Sequence, residues 1–427
     1  RRKFIFCIMA FFIALFTSFH LAFSQQNLIY YLEIDEERWD SFIVNITVRN
    51  NRSEHLLCGI PNLSSWFFNH SLSETDISDF KVSGEYGVKL LFNQVNLNTW
   101  LVNAKDNDIV TISYRVNNNN DRILGERIDK NFARVDGGTV FIYIRELRHV
   151  PIRLVVRVPH EWKLATGLKP TNQIFEYNVD NYEQLIKNPL YMAPFNEIFF
   201  NIGDRTGYLI IDGNPTFNIG KLGTMTSKIV ASQIELFRDI PFDQYLFILK
   251  VFPGPRRIIS KAYENTSIVY FSNQTARENL LAIVTEIASD FFQVWNGNRF
   301  YPISMEWNEL SQNQSTSELW FYYGVSDYYG CLSMARAGVW TEEEFFKYHI
   351  NLINRLFRYS DIQMPSTATL SSQIKYDYKK TVDYLRLKGH LLGLILDLKI
   401  RNLTDNHKSL DDVMYFMNKW FGDQNIG

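Results

Sequence analysis

The spacing of apolar residues changes near Thr275 from a strand period to a helix period, and this change most restricts the possible folds. Before it, β-branched and aromatic residues alternate with polar ones, which is typical of strands. After it, apolar residues recur every three or four positions over 276–295, which predicts a long helix. Strands are predicted at 30–34, 42–48, 100–102, 109–114, 140–144, 152–158, 198–202, 208–211 and 245–252, and further helices at 317–337, 341–359, 378–400 and from Ser409. Strands followed by helices predict an α+β fold.

Residues 1–24 predict a signal peptide that is absent from the mature protein. Three cations at the start precede about 20 mostly apolar residues, and Ala22 and Ser24 are small residues at the positions that a signal peptidase reads. The alternative is a retained membrane anchor, because an apolar run of this length could just span a bilayer. Cleavage is favoured because polar residues and then a strand pattern follow directly. We therefore expect a secreted, periplasmic or otherwise extracytoplasmic protein with no stable membrane span after cleavage.

The composition excludes two broad classes of protein. The 427 residues include 44 Lys and Arg against 46 Asp and Glu, whereas a nucleic-acid binder normally shows a basic field or stripe. A hydrophobic content of 46% with 21% charged residues excludes a disordered chain.

The two cysteines beyond the signal peptide are Cys58 and Cys331. They are far apart in the sequence and form no disulfide framework. We expect two buried thiols, with a single long-range bridge as the alternative.

Two segments carry the most specific pattern. Residues 289–296 read Ser-Asp-Phe-Phe-Gln-Val-Trp-Asn, and residues 319–329 read Leu-Trp-Phe-Tyr-Tyr-Gly-Val-Ser-Asp-Tyr-Tyr. The pair resembles the glycyl aminopeptidase family of zinc metallopeptidases, whose members read roughly His-Glu-x-Phe-His-x-Trp-Asn and then Leu-Trp-x-x-Glu-Gly-x-Thr-x-Tyr-Tyr. Further matches in the family order lie at 98–100, 158–162, 188–190, 387–389, 396–401 and 409–414. The resemblance therefore covers nearly all of the chain beyond the signal peptide.

This resemblance implies an α+β multidomain fold. An N-terminal antiparallel β-sandwich is expected over residues 25–197, a thermolysin-like (gluzincin) domain over 198–334, and an α-helical domain over 335–427. Family members carry a PDZ-type domain after the helical region, and no part of this sequence corresponds to it.

The resemblance also implies a degenerate metal site. The family's three zinc ligands, two His and a Glu, correspond to Ser289, Gln293 and Tyr323. Positions i and i+4 of a helix share one face, but a serine hydroxyl and a carboxamide are poor Zn²⁺ ligands beside imidazole or carboxylate. The family's general base corresponds to Asp290, which keeps a carboxylate that is one methylene shorter. We therefore expect no bound zinc and no intact catalytic set.

Other family positions are changed as well. The paired Tyr, one of which stabilises the oxyanion, correspond to Leu385 and Arg386. In the segment that shapes the substrate-amine site, Glu264 is retained and the following His becomes Asn265. The aromatic residues near the second segment are expected mostly in the core, and the candidates for lining the inherited cleft are Trp320, Tyr322 and Tyr328.

Three hypotheses for function remain open. The first is a non-catalytic homologue that binds a peptide or protein in the inherited cleft. The second is an active metalloaminopeptidase with an atypical metal site, and the third is a purely structural surface protein. No two histidines beyond the signal peptide stand three or four positions apart, so a new metal site would have to be assembled from distant segments. We favour the first hypothesis, because the site decides function and the fold does not.

Overall fold

A computed structural model describes residues 27–49, 51–61, 77–118, 126–255, 257–305, 316–358, 365–374 and 378–422, so the predicted signal peptide lies outside the described residues. The described strands are β1 (Leu28–Ile34), β2 (Ser41–Arg49), β3 (His55–Gly59), β4 (Ile77–Ser83), β5 (Phe92–Asn96), β6 (Thr99–Asn103), β7 (Ile109–Asn117), β8 (Arg127–Ile128), β9 (Ala133–Val135), β10 (Tyr143–Ile144), β11 (Ile152–Arg157), β12 (Lys163–Ala165), β13 (Lys169–Pro170), β14 (Glu176–Val179), β15 (Leu190–Ala193), β16 (Asn196–Ile202), β17 (Arg205–Asp212), β18 (Gln244–Phe252), β19 (Ile258–Ala262) and β20 (Thr266–Ser272). The described helices are α1 (Gly137–Val140), α2 (Tyr182–Lys187), α3 (Ile219–Phe237), α4 (Asn273–Phe292), α5 (Ser326–Arg336), α6 (Glu342–Arg358), α7 (Thr367–Gln373), α8 (Tyr378–Leu403) and α9 (Leu410–Met417).

The N-terminal region is built mainly from two sheets that share one core. The seven-stranded sheet has the order β13-β14-β11-β1-β2-β7-β4, and the four-stranded sheet has the order β10-β3-β6-β5. Every second residue of β2 from Phe42 to Val48 is buried, as the strand period requires. These side chains join residues of the other sheet, such as Val102 and Ile144, in one hydrophobic core. The predicted sandwich is therefore confirmed in its layers.

The sandwich is not wholly antiparallel, and in this detail the sequence-based prediction is wrong. Strand β1 pairs with β11 in parallel, with Leu28 opposite Ile152. The chain between them passes through the second sheet before it returns, and a parallel pair requires such a crossover. The segment 140–144, predicted as one strand, contains the end of the single-turn helix α1 and the two-residue strand β10.

The central region is a mixed five-stranded sheet with the order β16-β17-β18-β20-β19. Strands β17, β18 and β20 are parallel, and the edge strands β16 and β19 are antiparallel to their neighbours. Helices α3 and α4 cover one face, where Phe247 meets Ile229 and Ile287 in one core. The opposite face packs on the N-terminal region through residues such as Ile248 and Tyr191.

Helix α3 is not predicted by the sequence reasoning. It contains Gly220 and Gly223 and several Ser and Thr residues, all of which have low helix propensity. Its buried positions Leu222, Met225 and Ile229 nevertheless recur at the helical spacing. Tertiary burial against the sheet thus outweighs weak local propensity.

The C-terminal region is helical, as predicted. The predicted helix over 317–337 is continuous from residue 319 to residue 336, and a π-helical turn at Phe321–Val325 leads directly into α5. Ser409 caps α9 in a capping box with Asp412, which confirms the predicted start of that helix. In the parts of the chain that the structure describes, no helix combines the length and apolar character needed to cross a membrane. The domain boundaries given above remain predictions.

Candidate functional site

One face of α4 carries the polar residues of the candidate site. Glu286, Ser289, Asp290 and Gln293 stand at i, i+3, i+4 and i+7, so they follow one another along a single face. Ser289, Asp290 and Gln293 are buried, and Gln293 caps the carboxyl end of the helix. Buried polar side chains need hydrogen-bond partners, and each of these residues has one from another element.

Asp290 is held by two serines of the adjoining sheet. Ser260 of β19 lies 3.1 Å from Asp290 Oδ1, and Ser267 of β20 donates to Oδ2 at 2.8 Å. Ser260 Oγ also lies 3.1 Å from Glu286 Oε2, but a hydroxyl carries only one proton and cannot serve two carboxylates. Burial, followed by the charge of Glu286, raises the pKa of Asp290 to about 8. A protonated Asp290 can donate to Ser260, which then donates to Glu286.

Ser289 faces α5 rather than a free metal position. Its hydroxyl donates to the carboxylate of Asp327 on α5. The two helices cross closely here, because a Cβ added to Gly330 would lie 2.3 Å from Ser289 Oγ. Glycine at position 330 therefore allows the contact between the helices, and a side chain larger than serine at position 289 would have to displace α5.

Arg386 of α8 completes the polar cluster. Its Nε and Nη2 atoms donate to the two carboxylate oxygens of Asp327 at 2.7 and 2.8 Å, and Nη2 also lies 2.8 Å from Glu286 Oε2. Burial raises the pKa of Asp327, whereas the charge and hydrogen bonds of Arg386 oppose that rise. The guanidinium thus neutralises carboxylates that would otherwise be available to a cation. We name Ser260, Ser267, Glu286, Ser289, Asp290, Asp327 and Arg386 the serine–carboxylate cluster.

Gln293 and the two tyrosines of the second segment meet at the end of α4. Tyr322 donates its hydroxyl to Gln293 Oε1, and the Tyr323 ring lies 4.7 Å from the Tyr322 ring in an edge-to-face contact. Gly297 makes room for this arrangement, because a Cβ there would overlap the Tyr322 ring. The structure therefore brings Gln293 and Tyr322 into direct contact, with Tyr323 adjacent. The correspondence of Gln293 and Tyr323 to former zinc-ligand positions remains a prediction.

The hairpin turn between β19 and β20 borders the same end of α4. Asn298 donates to the carbonyl groups of Tyr263 and Gln293, and so ties the turn to the helix end. Glu264 is exposed at the turn. Asn265 instead donates to the Gly167 carbonyl at 3.1 Å and so contacts the N-terminal region. Of the two predicted cleft residues in this turn, Glu264 has the more open position.

The remaining predicted site residues lie in different surroundings. Leu385 is fully buried in an apolar cluster with Leu319 and Leu370, and Trp320 packs half-buried against the same cluster. Tyr328 is also buried, and its hydroxyl donates to Asp397 at 2.8 Å. Tyr328 therefore takes part in helix packing and does not line an open surface.

The side chains of this site do not form a zinc-binding set. Ser289 and Gln293 offer a hydroxyl and an amide oxygen, which are poor Zn²⁺ ligands. The nearby carboxylates of Glu286, Asp290 and Asp327 are engaged by serine hydroxyls and a guanidinium. Within the described ranges, no group of three or more His, Cys, Asp or Glu side chains could hold a metal ion.

Several site residues are missed by the sequence reasoning. Glu286 could have been found, because it stands four positions before Asp290 on the same helix. No local sequence pattern could have identified Asp327, Ser260 or Ser267, since they reach the site only through the packing of α5 and the sheet. His349 and His390 also meet, with their Nε2 atoms 3.0 Å apart, although sequence spacing gives no indication of a histidine pair.

Two family models match the chain, and both describe peptidase family M61. Residues 30–194 match the model of the peptidase M61 N-terminal domain, and residues 283–390 match that of the M61 glycyl aminopeptidase. No curated protein sequence matches the chain.

Solved structures share the fold at low sequence identity. An aminopeptidase N family protein from Idiomarina loihiensis superposes with a TM-score of 0.82 at 21% identity, over 94% of this chain and 71% of the other. An M1 zinc metallopeptidase from Deinococcus radiodurans has a TM-score of 0.54 at 13% identity, over 93% and 86% of the two chains. A mutant of that peptidase bound to a Tyr-Ser-Ala substrate has a TM-score of 0.56 at 11% identity, over 93% and 87%. The predicted α+β multidomain fold is thereby confirmed.

Proposed function

The chain belongs to the M61 peptidase family, and from this premise we propose that it is an exported, non-catalytic homologue that binds a peptide or protein ligand in the inherited cleft. The export rests on the predicted signal peptide. The absence of catalysis and the binding rest on separate features of the cleft.

The chemistry of the serine–carboxylate cluster supports the absence of catalysis. A metallopeptidase needs an ion that activates water and a carboxylate that accepts its proton. The metal positions offer no adequate donors, and with a pKa of about 8 Asp290 is mostly protonated at neutral pH. A protonated carboxyl cannot act as a general base. Arg386 adds a positive charge beside Glu286 and Asp327, and this charge opposes the binding of a cation there.

The edge strand β19 carries the proposal of ligand binding. It is the outermost strand of the five-stranded sheet, directly beside Asp290. Tyr263 N donates to Thr266 O at 2.7 Å, and alternation along an antiparallel pair then turns the amide and carbonyl groups of Ser260 and Ala262 away from β20. Such an edge can accept an extended peptide as an additional strand.

Two further observations agree with a peptide ligand. Glu264 lies exposed at the end of β19, and the resemblance assigns its position to recognition of a substrate amine. A ligand with a free amino terminus could pair with this carboxylate. The structural relative from Deinococcus radiodurans was solved with a Tyr-Ser-Ala peptide as substrate. We extend that peptide recognition to this chain as part of the proposal.

Zinc content and hydrolysis together test the absence of catalysis. Purified protein should hold far less than one zinc per chain by metal analysis and should not hydrolyse glycyl or alanyl anilides. Chelator should leave its melting temperature unchanged, because a metal that binds the folded state must stabilise it. Stoichiometric zinc with chelator-sensitive turnover would support the active metalloaminopeptidase instead.

Binding to the edge strand is tested with a peptide library and one matched pair of variants. Ala262→Pro removes an outward-facing amide donor at an edge position, where proline is tolerated, and should abolish binding. Ala262→Ser keeps the amide and should bind normally. If folded wild-type protein selects no peptide, the structural hypothesis is favoured. Equal binding by both variants would place the ligand elsewhere.

A further inference from the structure

Helix α6 exposes a stripe of large apolar side chains. His349 is its one buried residue, and the helix contacts the rest of the molecule along the line that contains His349. On the adjoining flank, Phe346, Ile350, Ile353 and Phe357 are 39–67% exposed. Single exposed apolar residues are normal, but four in a row on one helix mark an interaction surface. We name these four residues the α6 stripe.

The spacing of the α6 stripe fits a helix–helix seam. Its members are separated by four, three and four positions, which is the a/d pattern of a coiled coil. The order of residue types is Phe, Ile, Ile, Phe, which reads the same in both directions. A second copy of the helix running antiparallel therefore places Phe346 opposite Phe357, and Ile350 opposite Ile353. A two-fold axis generates such a self-complementary contact.

The charges of α6 favour the same arrangement. Glu342, Glu343 and Glu344 occupy its first turn, and Arg355 and Arg358 lie at its other end. Antiparallel pairing brings the acidic end of one copy to the basic end of the other, at both ends of the seam. Parallel pairing would oppose like charges at both ends.

We infer that two copies of this chain associate through α6, with the two α6 stripes packed antiparallel across a two-fold axis. The contact is independent of the peptide-binding proposal, because α6 contributes no residue to the serine–carboxylate cluster or to β19. The stripe is small beside a standard interface of roughly 800 Å² per partner, so the dimer is expected to be reversible.

Sedimentation of the full chain tests this dimer. Over a series from about 1 to 200 μM, the average mass of the wild type should rise from one chain toward two. Ile350→Asp places a charge at the centre of the seam and should weaken association at least about tenfold. Phe199→Asp is the matched control, because Phe199 is a 72% exposed aromatic residue on β16, and it should associate like the wild type.

Charge exchange tests the antiparallel orientation. Glu342→Arg with Glu343→Arg should weaken association, and so should Arg355→Glu with Arg358→Glu; Glu344 is kept because its carboxylate accepts hydrogen bonds from Thr341 at the start of the helix. This weakening distinguishes the orientations, because an antiparallel pair changes from opposite to like charges at both ends, whereas a parallel pair of the wild type already opposes like charges and would not be weakened. An equimolar mixture of these two double variants should restore association, because opposite charges then meet at both ends, and the recovery shows that the loss is due to charge. The proposal is overturned if the wild type stays at the mass of one chain, if Ile350→Asp associates like the wild type, or if the mixture does not recover. Circular dichroism confirms that each variant is folded.

Discussion

Arg386 Nε lies 2.7 Å from Asp327 Oδ2, and the same guanidinium reaches Glu286, so one cation of α8 joins α4 to α5. This contact connects three helices through groups that are between one-seventh and one-third exposed. The family resemblance predicts that Leu385 and Arg386 stand where family members carry a pair of tyrosines, one of which stabilises the oxyanion.

Replacing Arg386 should destabilise the fold. Arg386→Leu leaves Glu286 and Asp327 close together without their cation, and we expect a loss of about 1–3 kcal/mol in the free energy of unfolding. Lys408→Ala serves as the control, because it removes an exposed pair with Asp412 and should cost less than about 0.5 kcal/mol. Urea denaturation at neutral pH measures both. Equal losses would show that Arg386 is not a structural bridge.

The raised pKa of Asp290 predicts a stability that falls as pH rises. The pKa of Asp290 is about 8 in the folded state and is lower in the unfolded state. The stability that protonated Asp290 contributes to the fold is therefore fully present below about pH 4 and is lost as the pH rises through 8. Asp290→Asn keeps the shape and can still bond to Ser260 and Ser267. As the pH rises from 5 to 8, the free energy of unfolding of the variant should therefore increase by about 1–4 kcal/mol relative to that of the wild type. Unfolding curves at several pH values would contradict this if the difference stayed constant.

The histidine pair predicts loss of stability in acid. Burial, then the neighbouring His349 and Arg386, lowers the pKa of His390, and burial also lowers that of His349. The unfolded state therefore binds more protons below about pH 6.5, and stability falls as pH drops through this range. His390→Gln should be less stable at pH 7.5, yet lose less on acidification to pH 5. If acidification from pH 7.5 to pH 5 lowers the melting temperature equally in both proteins, the histidine pair is not the cause of the loss of stability in acid.

Gly330 should tolerate no side chain. A Cβ there would lie 2.3 Å from Ser289 Oγ and 2.9 Å from its backbone nitrogen. Gly330→Ala must separate α4 from α5, and we expect a cost of about 1–3 kcal/mol. Gly220→Ala is the control, because the nearest atom to its added Cβ is 3.4 Å away and alanine favours the helix. Thermal unfolding should give a lower melting temperature for the first variant and an equal or higher one for the second.

Part of the candidate site follows from residue identity alone. Ser289 and Gln293 lack the donor strength for zinc in any packing, so the sequence by itself predicts a degenerate site. Their helical spacing from Asp290 also predicts a shared face, which α4 has. The partners of these residues cannot be predicted in this way. Ser260, Asp327 and Arg386 belong to separate elements, and nothing in their local sequence specifies which helix they contact.

The sequence by itself determined the change from strands to helices near Thr275, the family resemblance and the capping box of Ser409, because these depend on periodicity and spacing over a few neighbouring residues. Only the tertiary structure decided the parallel pairing of β1 with β11, the contact of His349 with His390 and the neutralisation of Asp327 by Arg386. These features join segments that lie 41 or more residues apart along the chain. Long-range partners are selected by burial and by complementary charge, and local periodicity carries no information about either.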